Sequence, residues 1–149
     1  MEYKLTEQQV EDFIGFCEDY LNKTRRAKYS LKILKVPTEL APSLKVHIQS
    51  KLGSERHAGI YELTFNNYST EWLVNYPMFV DWNKMYLMFM HTVFGDAYLE
   101  DAVAAKDQEI EEKIKKAHGK YLHTVKTENK NLEEYKALIE SIRTNGVNP

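Results

Sequence analysis

The stretch LKVHIQSKL, residues 44–52, alternates apolar and polar side chains along its length. That period of two marks a strand with one buried and one wet face, and it sets the fold class of everything around it. Upstream, YSLKILKV at residues 29–36 alternates in the same way, and Pro37 and Pro42 bracket the connection between the two. Downstream, GIYELTF at residues 59–65 places Tyr61, Leu63 and Phe65 on one side, and GSERHAG at residues 53–59 reads as the hairpin loop leading into it. These segments predict a small antiparallel sheet of about three strands.

The flanks are helical. Thr6 and Gln9 form a T-x-x-Q capping box, with Leu5 and Val10 at the staple positions. Val10, Phe13, Ile14, Cys17, Tyr20 and Leu21 then repeat at helical spacing, which predicts a first helix with one apolar face and makes Cys17 a small core residue. From Thr70 onward only helix is expected. One helix should run from near Met78 to Phe94 and stop at Gly95. A second, capped by Asp96, should extend to about Lys126, and a last one should start at Asn131 after TENKN breaks the pattern. The fold class is therefore α+β, a single domain over residues 1–149. Residues 1–69 form the helix and sheet, and residues 70–149 a helical half with a long charged helix.

Composition bounds the function. A chain of 149 residues with 43% hydrophobic and 28% charged residues can bury a core without cross-links. The net charge of −2, from 20 basic and 22 acidic residues, argues against a dedicated DNA-coating protein. One cysteine permits no internal disulfide and favours a reducing, cytoplasmic setting. The opening MEYKLTEQQVEDF has no basic segment leading into an apolar run, so no secretory leader is expected. The run MYLMFM is far short of the roughly 20 residues a membrane span needs.

DWNKMYLMFMHTVFGDAYLED, residues 81–101, packs aromatic and sulfur side chains around His91. A zinc-peptidase helix needs H-E-x-x-H, but here Thr92 and Gly95 stand where the glutamate and second histidine belong. On a helical wheel Asp81, Lys84, Met88 and His91 make one narrow stripe between two apolar flanks, the pattern of a helix buried in a core. His118 and His123 are five apart and do not share a helix face; His47 points outward on its strand and His57 falls in the hairpin loop. No phosphate loop, nucleophile elbow or dinucleotide fingerprint occurs. No catalytic residue, metal site or cofactor is expected, and an enzyme would have to assemble its site from separate elements around His91 and His47.

Two binding signals are left. The segment KTRRAKYSLKILK carries Lys23, Arg25, Arg26, Lys28, Tyr29 and Lys32, a basic cluster beside a tyrosine that suits phosphate contacts and base stacking. Its plainer reading is helix-end cations followed by lysines wetting an edge strand. The long helix is acidic from Asp96 to Glu112 and basic from Lys113 to Lys126, so two antiparallel copies would match charge along a seam of Ile110, Ile114, Ala117 and Tyr121. Its basic end, Lys113, Lys115, Lys116 and Lys120 with Tyr121, is the expected partner-binding surface. The leading expectation is a small, non-enzymatic, intracellular regulator or inhibitor that binds another protein, of the kind a phage or mobile element encodes, with homodimerisation through the Asp96–Lys126 helix open. The alternative is a nucleic-acid-binding module using Lys23 to Lys35.

Overall fold

Thr6 opens the first helix, α1 (Glu7–Thr24), with the expected reciprocal pair: Gln9 N–H donates to Thr6 Oγ1 at 3.2 Å and Thr6 N–H donates to Gln9 Oε1 at 2.9 Å. The structure is a computed structural model and describes residues 2–52, 55–73, 81–117 and 121–145, without the side chains of residues 52, 55, 121 and 122. After α1 come β1 (Lys28–Lys35), β2 (Leu44–Leu52), β3 (Glu55–Phe65), β4 (Thr70–Trp72), α2 (Trp82–Phe94), α3 (Asp96–Lys116) and α4 (Tyr121–Asn145). The fold is α+β, as the patterning implied. The chain divides into two compact units, Met1–Phe89 and Met90–Asn148, with the division inside α2.

The first unit is built on an antiparallel sheet of four strands in chain order, β1-β2-β3-β4. The fourth strand is a correction to the expectation of three: Thr70–Trp72 pairs with Phe65–Leu63 and is too short to show a period. The hairpin loop is also shorter than expected. Leu52 already pairs with Glu55, so Arg56 and His57 lie in β3, opposite Lys51 and Ser50.

One sheet face is buried through Leu31, Leu44, Val46, Ile48 and Leu63. The apolar side of α1 supplies Phe13, Ile14, Cys17 and Leu21 to the core. Phe13 meets Phe65, Tyr86 and Phe89 at ring-centroid distances of 5.9, 5.6 and 5.5 Å, an aromatic cluster that ties α1 and β3 to the start of α2.

α1 also runs along the outer edge of β1. Tyr29 N–H donates to Asn22 Oδ1 at 2.7 Å, Asn22 Nδ2 donates to the Tyr29 carbonyl at 3.1 Å, and Leu31 N–H donates to Glu18 Oε2 at 2.8 Å. An edge strand left bare is a template for unwanted pairing, and here helix side chains occupy it.

α2 starts later than the wheel suggested. Asp81 is its cap: Lys84 N–H donates to Asp81 Oδ1 at 2.9 Å, which fixes the first helical residue at Trp82. Met78 lies outside the described residues. Every residue from Met85 to Met90 is buried, so this part of the helix is covered on all sides, which answers the loud sequence around His91 as core.

In the second unit, Gly95 takes φ +84°, a left-handed conformation that favours glycine, and turns the chain from α2 into α3. Asp96 is the first residue of α3 rather than its cap, and its Oδ1 lies 2.7 Å from His91 Nε2. The long helix expected over Asp96–Lys126 is not continuous. α3 ends at Lys116 with Ala117 extended, and α4 runs unbroken through TENKN, with Leu132 buried directly after it. The two helices pack together, with Lys106 Nζ 5.5 Å from the Tyr135 ring centre. Among the described residues no helix is long and apolar enough to cross a membrane.

Candidate interaction surface

The register assembles a basic corner that no single segment of sequence shows. Lys28 pairs with Lys51 and Lys51 with Arg56, which sets three cations side by side across β1, β2 and β3 on the outer face of the sheet. Directly opposed side chains on neighbouring strands have Cβ atoms about 5 Å apart, and like charges at that spacing are destabilising. All three residues are exposed, and among the described residues no acidic group forms an ion pair with any of them. Two rows further along, Lys32 pairs with His47 and His47 with Ile60, whose side chain is 63% exposed. In the next row Lys35 pairs with Lys45 and Lys45 with Glu62, and Lys45 Nζ lies 3.6 Å from Glu62 Oε1, so this row carries one acid against two cations. The Lys28–Lys51–Arg56 row carries no acid at all.

Of the residues named from the basic segment, Lys28 and Lys32 belong to this face. Tyr29 lies on the opposite face, half-buried, so it does not stand beside them as a stacking platform. Lys23, Arg25 and Arg26 are exposed where α1 ends and the chain turns into β1. Lys51 and Arg56 are not among the residues the sequence singles out. The alternation in β2 points Lys51 outward with His47, but GSERHAG reads as a loop that takes in Arg56, and the row exists only once both registers are set.

The lysines at the end of α3 are differently placed. Lys113 lies 3.3 Å from Glu109 and Lys115 3.7 Å from Glu111, both one turn away on the same helix. Such exposed pairs are worth little energetically, yet they partly satisfy the charge that was to greet a partner. Lys116 is exposed. Lys120 and the side chain of Tyr121 lie outside the described residues. Of the proposed seam, Ile110 is buried within the chain and Ile114 is half-buried.

A cleft of ≈ 670 Å³ lies elsewhere on the first unit, lined by Tyr3, Leu5, Pro37, Pro42, Phe65, Tyr68 and Tyr86 together with Asn66 and Asn67. Its size and aromatic lining are those of a ligand pocket. Several of its polar atoms are already engaged: Tyr86 Oη donates to the Asn66 carbonyl at 2.8 Å, Asn66 Oδ1 accepts from the backbone of Tyr68 and Ser69, and Asn67 Oδ1 accepts from Tyr3 N–H. Its lining also carries Glu2, Lys4 and Glu7, and Lys4 Nζ lies 3.8 Å from Glu2 Oε2.

The remaining candidates for chemistry are dispersed. His47 sits on the outer sheet face, His57 is exposed in β3 and His123 is exposed on α4. Cys17 is fully buried, and burial raises its thiol pKa well above the ordinary value, the reverse of an activated nucleophile. Among the described residues no group of three or more His, Cys, Asp or Glu is placed to hold a metal. Comparison with protein-family models, with curated proteins and with solved structures finds no match to this chain.

Proposed function

We propose that the protein is a non-enzymatic binding protein that docks an acidic surface of a partner protein on the outer face of its sheet, and regulates or inhibits the partner by covering it. The observation that supports this is the row Lys28–Lys51–Arg56. Three aligned cations repel one another in the free chain, and an anionic partner converts that repulsion into attraction. Ile60 supplies an exposed apolar anchor on the same face, the kind of residue that buries at the centre of a protein interface.

Nucleic acid is the second reading, favoured by Arg25 and Arg26 standing exposed just before Lys28. It is the weaker of the two. No tyrosine, phenylalanine or tryptophan of β1, β2 or β3 shares the face that carries Lys28 and Lys51, so bases have nothing to stack on. The net charge of −2 also opposes a long polyanion beyond the corner.

Capture from nuclease-treated native-host lysate separates the readings, with bound species identified by mass spectrometry. The wild-type chain should retain a protein, and the triple variant Lys28→Glu, Lys51→Glu, Arg56→Glu should lose it while Lys113→Glu, Lys115→Glu keeps it. Capture that survives the triple reversal removes the sheet face as the site. Capture that depends on intact nucleic acid transfers the function to the second reading.

A further inference from the structure

The two edges of the sheet are treated differently, and the difference points to how the partner is held. In an antiparallel strand, alternate residues turn both backbone groups to the same side. On β1 the outward groups belong to Tyr29 and Leu31, and α1 covers them through Asn22 and Glu18. On β3, Leu73 N–H donates to the Glu62 carbonyl at 2.9 Å, so Glu62 faces the β4 side. By alternation Ile60, Ala58 and Arg56 face that side too. β4, however, is three residues long, and among the described residues its ladder covers Leu63, Thr64 and Phe65. Among the described residues no hydrogen bond reaches the outward backbone groups of Arg56, Ala58 or Ile60, and all three residues are exposed. No proline blunts this stretch of edge.

We propose that β3 is a strand-acceptor: an extended acidic segment of the partner protein adds to the sheet as a further strand along Arg56–Ile60. This rests on the docking reading above and specifies its mode. Backbone pairing supplies affinity in strand addition, and alternate side chains supply selection. On the outer face the incoming strand meets Arg56, then the small Ala58, then Ile60. It therefore needs an acidic side chain at one position and an apolar one four residues away. The acid extends the row Lys28–Lys51–Arg56 across a fourth strand and gives it a counter-charge; the apolar residue covers Ile60. A second copy of this chain is a poorer occupant, because β3 paired antiparallel with β3 about Ala58 sets Arg56 opposite Ile60 of the other copy and gives the basic row no acid.

The test uses the full chain and a labelled synthetic peptide carrying Glu-Val-Thr-Val-Ile, with a scrambled control. Binding is followed by fluorescence anisotropy and backbone amide exchange by NMR. The wild-type chain should bind the peptide in preference to the scramble, and the amides of Ala58 and Ile60 should gain protection on binding. Ala58→Pro removes one outward N–H without touching the β2–β3 ladder, and should weaken binding about tenfold or more. Binding without new protection at Ala58 and Ile60 overturns strand addition, a result that does not depend on how well the proline variant folds. Failure of the wild-type chain to prefer the peptide over its scramble also overturns it. Protection that grows with protein concentration in the absence of peptide assigns the edge to a second copy and likewise overturns the proposal. Should Ala58→Pro leave lysate capture intact while the triple charge reversal abolishes it, face docking stands and strand addition falls. If neither variant affects capture, both readings fall.

Discussion

Tyr86 and Cys17 are buried in the first unit as neutral acids, and burial raises the pKa of each above its ordinary value. Their stability contribution follows from the sign. Where the folded-state pKa exceeds the unfolded one, the folded chain holds its proton longer, so the contribution is whole below the unfolded pKa and is lost as pH rises beyond it. Urea midpoints should hold steady through neutrality and fall from about pH 9 upward, where thiols and then phenols ionise in the unfolded chain. Tyr86→Phe should reduce that alkaline slope. It should also cost about 1 kcal/mol at neutral pH, because the Asn66 carbonyl loses its donor. A thiol reagent at mild pH should modify Cys17 no faster than the chain unfolds. At this scale the sequence was legible wherever neighbours along the chain decide the outcome: the Thr6–Gln9 box and the inward face of Cys17 follow from local spacing. His91 was not legible in the same way. Its partner Asp96 becomes a neighbour only through the turn at Gly95, and the stripe it shares with Asp81 and Lys84 carries no sign of that contact.

α1 acts at the scale of elements, as core helix and edge cover together. Glu18→Ala and Asn22→Ala should each cost about 1 kcal/mol, since each frees a backbone group of β1 from its partner. The double variant should in addition associate with time, and light scattering during storage would show it; a monodisperse double variant would mean the edge is protected by something else. Long, strongly patterned elements were readable in advance: α1, β1, β2 and the second half of β3. The errors have physical causes. β4 is shorter than two periods of alternation. In TENKN, Thr127, Asn129 and Asn131 are weak helix formers and no apolar residue repeats, yet α4 passes through it and buries Leu132 directly after. The true break, after Lys116, carries no proline, and its one stop signal in the sequence is Gly119.

Charge placement belongs to the whole molecule. With a net charge of −2, the chain still concentrates Lys28, Lys51 and Arg56 in one row. If that row exists for a partner, Lys51→Glu should raise the stability of the free protein by about 0.5 kcal/mol while weakening capture. Denaturant unfolding and binding, measured on the same variant, give the two signs. A variant that loses both stability and binding would make the row structural. Lys28 and Lys32 could be found in the sequence because they share one strand; Lys51 and Arg56 could not, because the surface is defined across strands and depends on a turn that was placed too late.

The chain-order sheet also has a consequence in time. Each ladder joins a strand to the next one synthesised, so no pairing must wait for a distant segment to arrive. Loop closure is then inexpensive at every step, and such a meander belongs with the faster-folding sheet topologies. Hairpin by hairpin, β3 receives its inner neighbour, β2, before β4 has been made, so the first three strands can pair in the order in which they emerge.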